Sequence, residues 1–107
     1  MRGTVAETMA VRAAEEWRAR GYVVEMFVEA PARPASRDRV LPSSGYREVA
    51  VLCASGRLAV SSGEPSGSAP VEQLLDAGAL QRLRIGAWHM VRNAHDSAPV
   101  SWLYVMR

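Results

Sequence analysis

Near the start of the chain, apolar side chains recur every four residues, at Val5, Met9, Ala13 and Trp17. That is the spacing of one helix face. Thr4 and Glu7 stand ahead of the stripe as T-x-x-E, a capping box whose side chains satisfy open amide donors. Gly21 follows and supplies the left-handed residue on which helices end. Arg12, Glu16 and Arg20 are four apart, placed for ion pairs on the wet side. The pattern predicts a helix over 4–20 with Val5, Met9, Ala13 and Trp17 turned inward.

After Gly21 the period shortens. YVVEMFVE, 22–29, is β-branched and aromatic and reads as a strand. Residues 30–45 hold three prolines with Arg33, Arg37 and Arg39, the composition of a long loop. YREVAVLCA, 46–54, reads as a second strand with Val49, Val51 and Cys53 on one face, and Ser55-Gly56 as the turn of a hairpin into RLAVSS. GEPSGSA, 63–69, is an internal linker. Pro70 suits the first turn of a second helix, running to about Arg84 with Val71, Leu74, Leu75 and Leu83 inward. Leu80, Leu83, Ala87, Trp88 and Val91 continue a helical spacing, but Ile85, Ala87, His89 and Val91 alternate as a strand, and Gly86 is costly inside a helix. The strand reading is adopted. NAHDSAP then reads as a hairpin loop into VSWLYVM, 100–106. The expected fold is a single α+β domain over 1–107, order α-β-β-β-α-β-β. Its sheet is mainly antiparallel, of about five strands, with both helices packed on one face.

Composition narrows the function. The chain has 107 residues, 49% hydrophobic and 22% charged, ordinary values for a globular protein. No apolar run reaches the ~20 residues of a membrane span. The opening MRGTVAETMAVRAAEEW carries Glu7 and no apolar core, unlike a secretory signal. Cys53 is the one cysteine, which excludes an intrachain disulfide and a cysteine zinc cluster. These features suggest a cytoplasmic protein. All thirteen basic residues are arginine and Ile85 is the single isoleucine, which fits a GC-rich bacterial genome. Eleven acidic residues leave a net charge of +2, far from the strongly basic signature of a nucleic-acid binder.

Motifs for chemistry are sparse. His89, His95 and Asp96 lie near one another in sequence, and folding can bring Asp38 and Cys53 to them. A catalytic zinc takes three protein ligands, and no H-E-x-x-H spacing is present. His89 is therefore expected to be a hydrogen-bonded interior or interface residue, with His95 and Asp96 shaping a turn. Cys53 follows VAVL and reads as an inert small hydrophobe. There is no G-x-S-x-G elbow and no phosphate loop. No cofactor is implied.

VSWLYVM sets Val100, Trp102, Tyr104 and Met106 on one face and Leu103 and Val105 on the other. A sheet wetted on one side alternates more cleanly. Either the chain covers both faces, or one face docks a partner. The resulting reading is a small non-enzymatic protein of inhibitor, immunity or adaptor type. It binds another protein or its own copy through Trp88, Met90, Trp102 and Tyr104, with Arg33, Arg37 and Arg39 steering an acidic surface. The alternative is a nucleic-acid binder using Arg33, Arg37, Arg39, Arg82, Arg84 and Arg92, with Trp88 stacking on bases. A third reading is a small enzyme or metal protein around His89, His95 and Asp96.

Overall fold

The computed structural model describes residues 4–31, 39–40, 45–63, 71–85, 88–95 and 97–107, with only the backbone described for Arg39, Val40, Val71 and Trp88. The Thr4 hydroxyl accepts the Glu7 backbone N–H at 3.1 Å and opens helix α1, Val5–Ala19. Gly21 ends it at φ 93°. The Gly21 and Tyr22 N–H groups bond back to the carbonyls of Arg18 (2.9 Å) and Trp17 (3.2 Å), and the Tyr22 ring meets Trp17 edge-on at 5.0 Å. Those bonds and that apolar contact make up a Schellman terminus. Both helix boundaries thus lie where local chemistry sets them.

The inward face differs from the expected stripe. Ala6, Ala10 and Ala14 are buried, whereas Val5 is 76% exposed and Met9 is exposed as well. Ala13 and Trp17 are half-buried at the margin. Alanines let the helix axis come close to a surface already filled by Leu52, Leu103 and Val105; a Val–Met stripe there would overpack it. The Arg12–Glu16–Arg20 series forms no ion pair among the described residues. Arg20 instead lies over the Trp17 ring, 4.9 Å from its centre.

Among the described residues eight strands follow: β1 Val23–Glu29, β2 Arg39–Val40, β3 Val49–Ser55, β4 Arg57–Gly63, β5 Val71–Asp76, β6 Leu80–Arg82, β7 Trp88–Asn93 and β8 Val100–Met106. They form two antiparallel sheets, ordered β1-β8-β3-β6 and β2-β7-β4-β5. This overturns the expected α+β arrangement of two helices on one sheet. The segment assigned to a second helix holds β5 and β6 instead. Leu75 is buried opposite Leu58 while Leu74 is exposed, so a two-residue period operates. Gly78, at φ 92°, then turns the chain, with Ala79 N–H bonded to the Asp76 carbonyl at 2.9 Å. The helix preference of Glu72, Gln73 and Leu74 is a weak prior that strand pairing overrides.

Both predicted hairpins are corrected as well. Ser55-Gly56 carries the chain from the first sheet into the second, and the link from β7 to β8 carries it back. Among the described residues, β4 and β5 are the only strands consecutive in sequence that pair with each other. The two corners touch. A Cβ on Gly56 would lie 2.9 Å from the Pro99 carbonyl oxygen and 3.2 Å from Val100 Cα. Buried Asn93, ending β7, holds the same region: its Nδ2 lies 2.9 Å from the Ala30 oxygen and 2.7 Å from that of Ala98, and its Oδ1 accepts the His95 N–H at 2.8 Å.

Between the sheets lies a core that includes Val49, Val51 and Cys53, sharing one face as expected, with Leu58, Val60, Val91, Trp102 and Tyr104. Phe27 stacks on Trp102 at 4.4 Å. A second core joins Ala10 and Ala14 to Val24, Ala50, Leu103 and Val105. The first sheet is therefore covered on both faces, by α1 and by the second sheet.

Replacing Gly56 by alanine combines a left-handed backbone with a steric clash, and urea denaturation should show a loss of about 2 kcal/mol or more. Gly78→Ala, at a similar φ of 92° but with no atom within 4 Å of the added Cβ, should lose only about 1 kcal/mol.

Candidate functional site

The structure disperses the residues the sequence singles out. Trp102 and Tyr104 are 0% and 1% exposed, closed over by the second sheet, so neither is a surface anchor for a partner. Met90 alternates with inward His89 and Val91, which places it on the outer face of β7, half-buried. The Trp88 backbone pairs with Gly63 at the end of β4. Arg33 and Arg37 lie outside the described residues, and the Arg39 backbone pairs with Val91. Arg92 is held by both oxygens of Glu72, at 3.0 and 3.1 Å, on the outside of the second sheet. Arg82 belongs to the first sheet, and Arg84 lies just past its end. Of the described side chains in the nucleic-acid reading, Arg92 thus lies on the second sheet and Arg82 on the first.

His89 is buried, with Nε2 at 2.9 Å from the Arg84 carbonyl. A carbonyl only accepts, so Nε2 donates to it. His89 Nδ1 is buried with no partner among the described residues, as are Gln81 Oε1 and Trp102 Nε1. His95 shapes the corner through its backbone bond to Asn93. Asp38 and Asp96 lie outside the described residues. Among those described, no three His, Cys, Asp or Glu side chains come together to hold a metal. No described helix is long and apolar enough to cross a membrane.

A site the sequence did not reveal lies at the C-terminal end of α1. Here a cleft of about 220 Å³ is walled by Trp17 and Tyr22 from the helix terminus, Arg47 and Glu48 ahead of β3, and Leu80 and Arg82 from β6. The register makes it: Leu80 pairs with Leu52 and Arg82 with Ala50, so both project on the helix side, and Ala50 leaves room beneath. Glu48 Oε2 accepts Arg107 Nε at 3.0 Å, Arg107 Nη2 at 2.9 Å and the Tyr22 hydroxyl at 3.4 Å. The Arg107 guanidinium also covers the Tyr22 ring at 4.7 Å. One arginine thus neutralises the one carboxylate. Arg47 and Arg82 have no carboxylate partner among the described residues, so the cleft is electropositive with aromatic walls. It can hold a carboxylate or phosphate through guanidinium groups and an apolar or planar group against the rings. Its residues are scattered from 17 to 105. The one local hint is Trp17 beside Gly21-Tyr22, which the helix periodicity had assigned to the core.

Two interior groups, Cys53 and Tyr104, are pushed toward their neutral forms. Burial first, then the charge of Asp76, pushes the Cys53 thiol from 9.0 to about 11. Burial first, then Glu25 and Tyr46, raises the Tyr104 hydroxyl above its ordinary 10.0. The raised thiol value stabilises the fold below pH 9 and that contribution is lost as pH rises through 11. Wild type should therefore lose about 2–3 kcal/mol more than Cys53→Ala between those limits, by denaturant titration.

No family model matches the chain, and no curated protein sequence does. Solved structures do match. The CENP-C cupin domain of Drosophila melanogaster is 14% identical with a TM-score of 0.65, covering 78% of this chain and 59% of that one. CENP-C of the same organism bound to CAL1 matches at 14% and 0.65, over 78% of this chain and 64% of that one. Hydroxypropylphosphonic acid epoxidase from S. wedmorenis, in complex with fosfomycin, is 17% identical with a TM-score of 0.64, over 84% of this chain and 46% of that one. The chain thus spans less than two thirds of these proteins' own lengths. HppE has also been solved in its Fe(II) form; the described residues here do not fit such a centre, since His89 is committed to the Arg84 carbonyl and no ligand trio forms. The shared feature is the fold, a cupin-type pair of antiparallel sheets closed on each other.

Proposed function

We propose that this domain is a non-enzymatic protein-binding module that receives an acidic segment of its partner in the cleft at the end of α1. The observation that carries this reading is the pairing of carboxylate-free Arg47 and Arg82 with the partly exposed rings of Trp17 and Tyr22. Tryptophan, tyrosine and arginine dominate binding hot spots, and an uncompensated basic cleft favours a partner of opposite charge. A domain of the same fold, CENP-C, is known bound to another protein, CAL1, which supports the reading. Arg33, Arg37 and Arg39 would add to the steering field. An inhibitor, immunity or adaptor role in the cytoplasm suits such a module.

The test is a titration of the full chain with a fluorescent poly-glutamate peptide and, separately, with oligo-dT of equal charge. The peptide should bind, and the double variant Arg47→Glu/Arg82→Glu should weaken it at least about tenfold, some 1.4 kcal/mol, with an unchanged melting curve. Peptide binding that ignores both substitutions overturns the assignment of the cleft. A preference for oligo-dT, steeply reduced by salt, moves the nucleic-acid reading to first place.

A further inference from the structure

Glu48 stands between two arginines and is bonded to one of them. Arg107 lies directly opposite on β8's side, and each backbone N–H donates to the other's carbonyl at 2.9 Å. Arg82 lies on the other side, on β6, opposite Ala50 and so diagonal to Glu48. Diagonal neighbours on one face of a sheet are about 7–8 Å apart, within reach of long side chains. All three share the face that carries α1, because Ala50 and Val105 pack beneath the helix and side chains alternate along each strand. The carboxylate is nevertheless turned to Arg107. Glu48 Oε2 accepts Arg107 Nε at 3.0 Å, Nη2 at 2.9 Å and the Tyr22 hydroxyl at 3.4 Å, while Arg82 meets no carboxylate among the described residues. The Tyr22 ring accounts for the choice. It already seats the Arg107 guanidinium, 4.7 Å from its centre, so less side-chain freedom is lost in forming this pair.

We infer that Arg107, seated on Tyr22, holds Glu48 away from Arg82 and so keeps the cleft receptive to an acidic group. The inference rests on the reading of the cleft as the site for an acidic segment of a partner. Released from Arg107, Glu48 turns to Arg82 and puts the chain's own carboxylate where the partner's would bind. A tethered carboxylate competes at an effective concentration on the order of millimolar, enough to weaken a single acidic side chain as a ligand. The pair has room for this exchange. Its side chains are 53% and 39% exposed for Arg107 and Glu48, and a hollow of about 520 Å³ is lined by Arg47, Glu48 and Arg107. Neither partner would be carried into the interior by the move, so no desolvation opposes it. Arg107 is thus a positioning residue, acting on the ligand through Glu48 rather than by touching it. Glu48 is the cleft's internal competitor for Arg82.

Two measurements on the full chain test this. The first needs no ligand: solvent exchange of the Arg82 Nε–H, assigned in nitrogen-15 spectra by its loss in Arg82→Gln. Arg107→Met keeps the backbone bonds of residue 107 and should slow that exchange at least about threefold, the scale of one exposed ion pair. Adding Glu48→Gln should return it to the wild-type rate. The second is titration with the fluorescent poly-glutamate peptide. Glu48→Gln should improve binding about threefold more in the Arg107→Met chain than in wild type, because only there does Glu48 occupy Arg82. Equal gains in both backgrounds would mean that net charge alone matters, and would overturn the inference. Arg82 exchange that ignores Arg107→Met would overturn it too. Arg82 responses as expected in a chain that does not bind the peptide would instead overturn the acidic-segment reading and leave the hold on Glu48 standing.

Discussion

The last strand must be kept dry on both faces, and the other elements are placed by that requirement. No residue of β8 is more than 2% exposed. Trp102 and Tyr104 face the second sheet, while Leu103 and Val105 face α1. Burying a large apolar side chain contributes roughly 1.5–3 kcal/mol, so uncovering either face would remove several such contributions together. Neither helix nor second sheet alone suffices, because a pleated strand presents alternate residues to opposite sides. Hence β8 lies between β1 and β3, with alanines on the helix letting one cover sit close and a second sheet supplying the other.

Two sheets facing each other require the chain to change sheets repeatedly, and backbone polar groups at each corner need partners. Asn93 meets that need at the corner between β7 and β8. It is the end of a strand in one sheet, yet it bonds carbonyls that follow β1 and precede β8 in the other. Gly56 lets the neighbouring corner approach the Pro99 carbonyl more closely than any side chain would allow. The two corners act as one joint, and the separation of the sheets is set there as much as by the core.

This joint also explains how much of the fold was legible. The ends of the helix could be read because their determinants are local, a hydroxyl at Thr4 and a glycine at 21, whereas its inward face of Ala6, Ala10 and Ala14 was not the stripe the apolar period suggested. The shared face of Val49, Val51 and Cys53 was readable for the same reason. Ser55-Gly56 and the 93–99 segment were recognisable as turns, but a turn that closes a hairpin and one that changes sheets use the same residues. What separates them is long-range pairing, for which the only trace was a final strand apolar on both sides. Residues 70–84 misled because helix-favouring side chains occur there, while the pairing of Leu75 with Leu58 is invisible locally. The cleft was least legible. Trp17, Arg47 and Arg82 share no spacing, and they meet only because β6 pairs with β3 under the end of α1.

The distribution of charge then argues for where this fold does its work. The space between the sheets is filled by Trp102, Tyr104 and aliphatic side chains, and burial presses its Cys53 and Tyr104 toward their neutral forms. Cys53 is held as a thiol and Tyr104 as a phenol. Charge placed there would be desolvated without compensation. The described arginines lie instead on the rims and outer faces, some tied to Glu72, Asp76 or Glu48 and two at the cleft left without a carboxylate. The space between the sheets is thus taken up by packing. Among the described residues, partly exposed aromatic rings and arginines without a carboxylate partner meet instead at the margin of the first sheet, beneath the end of α1.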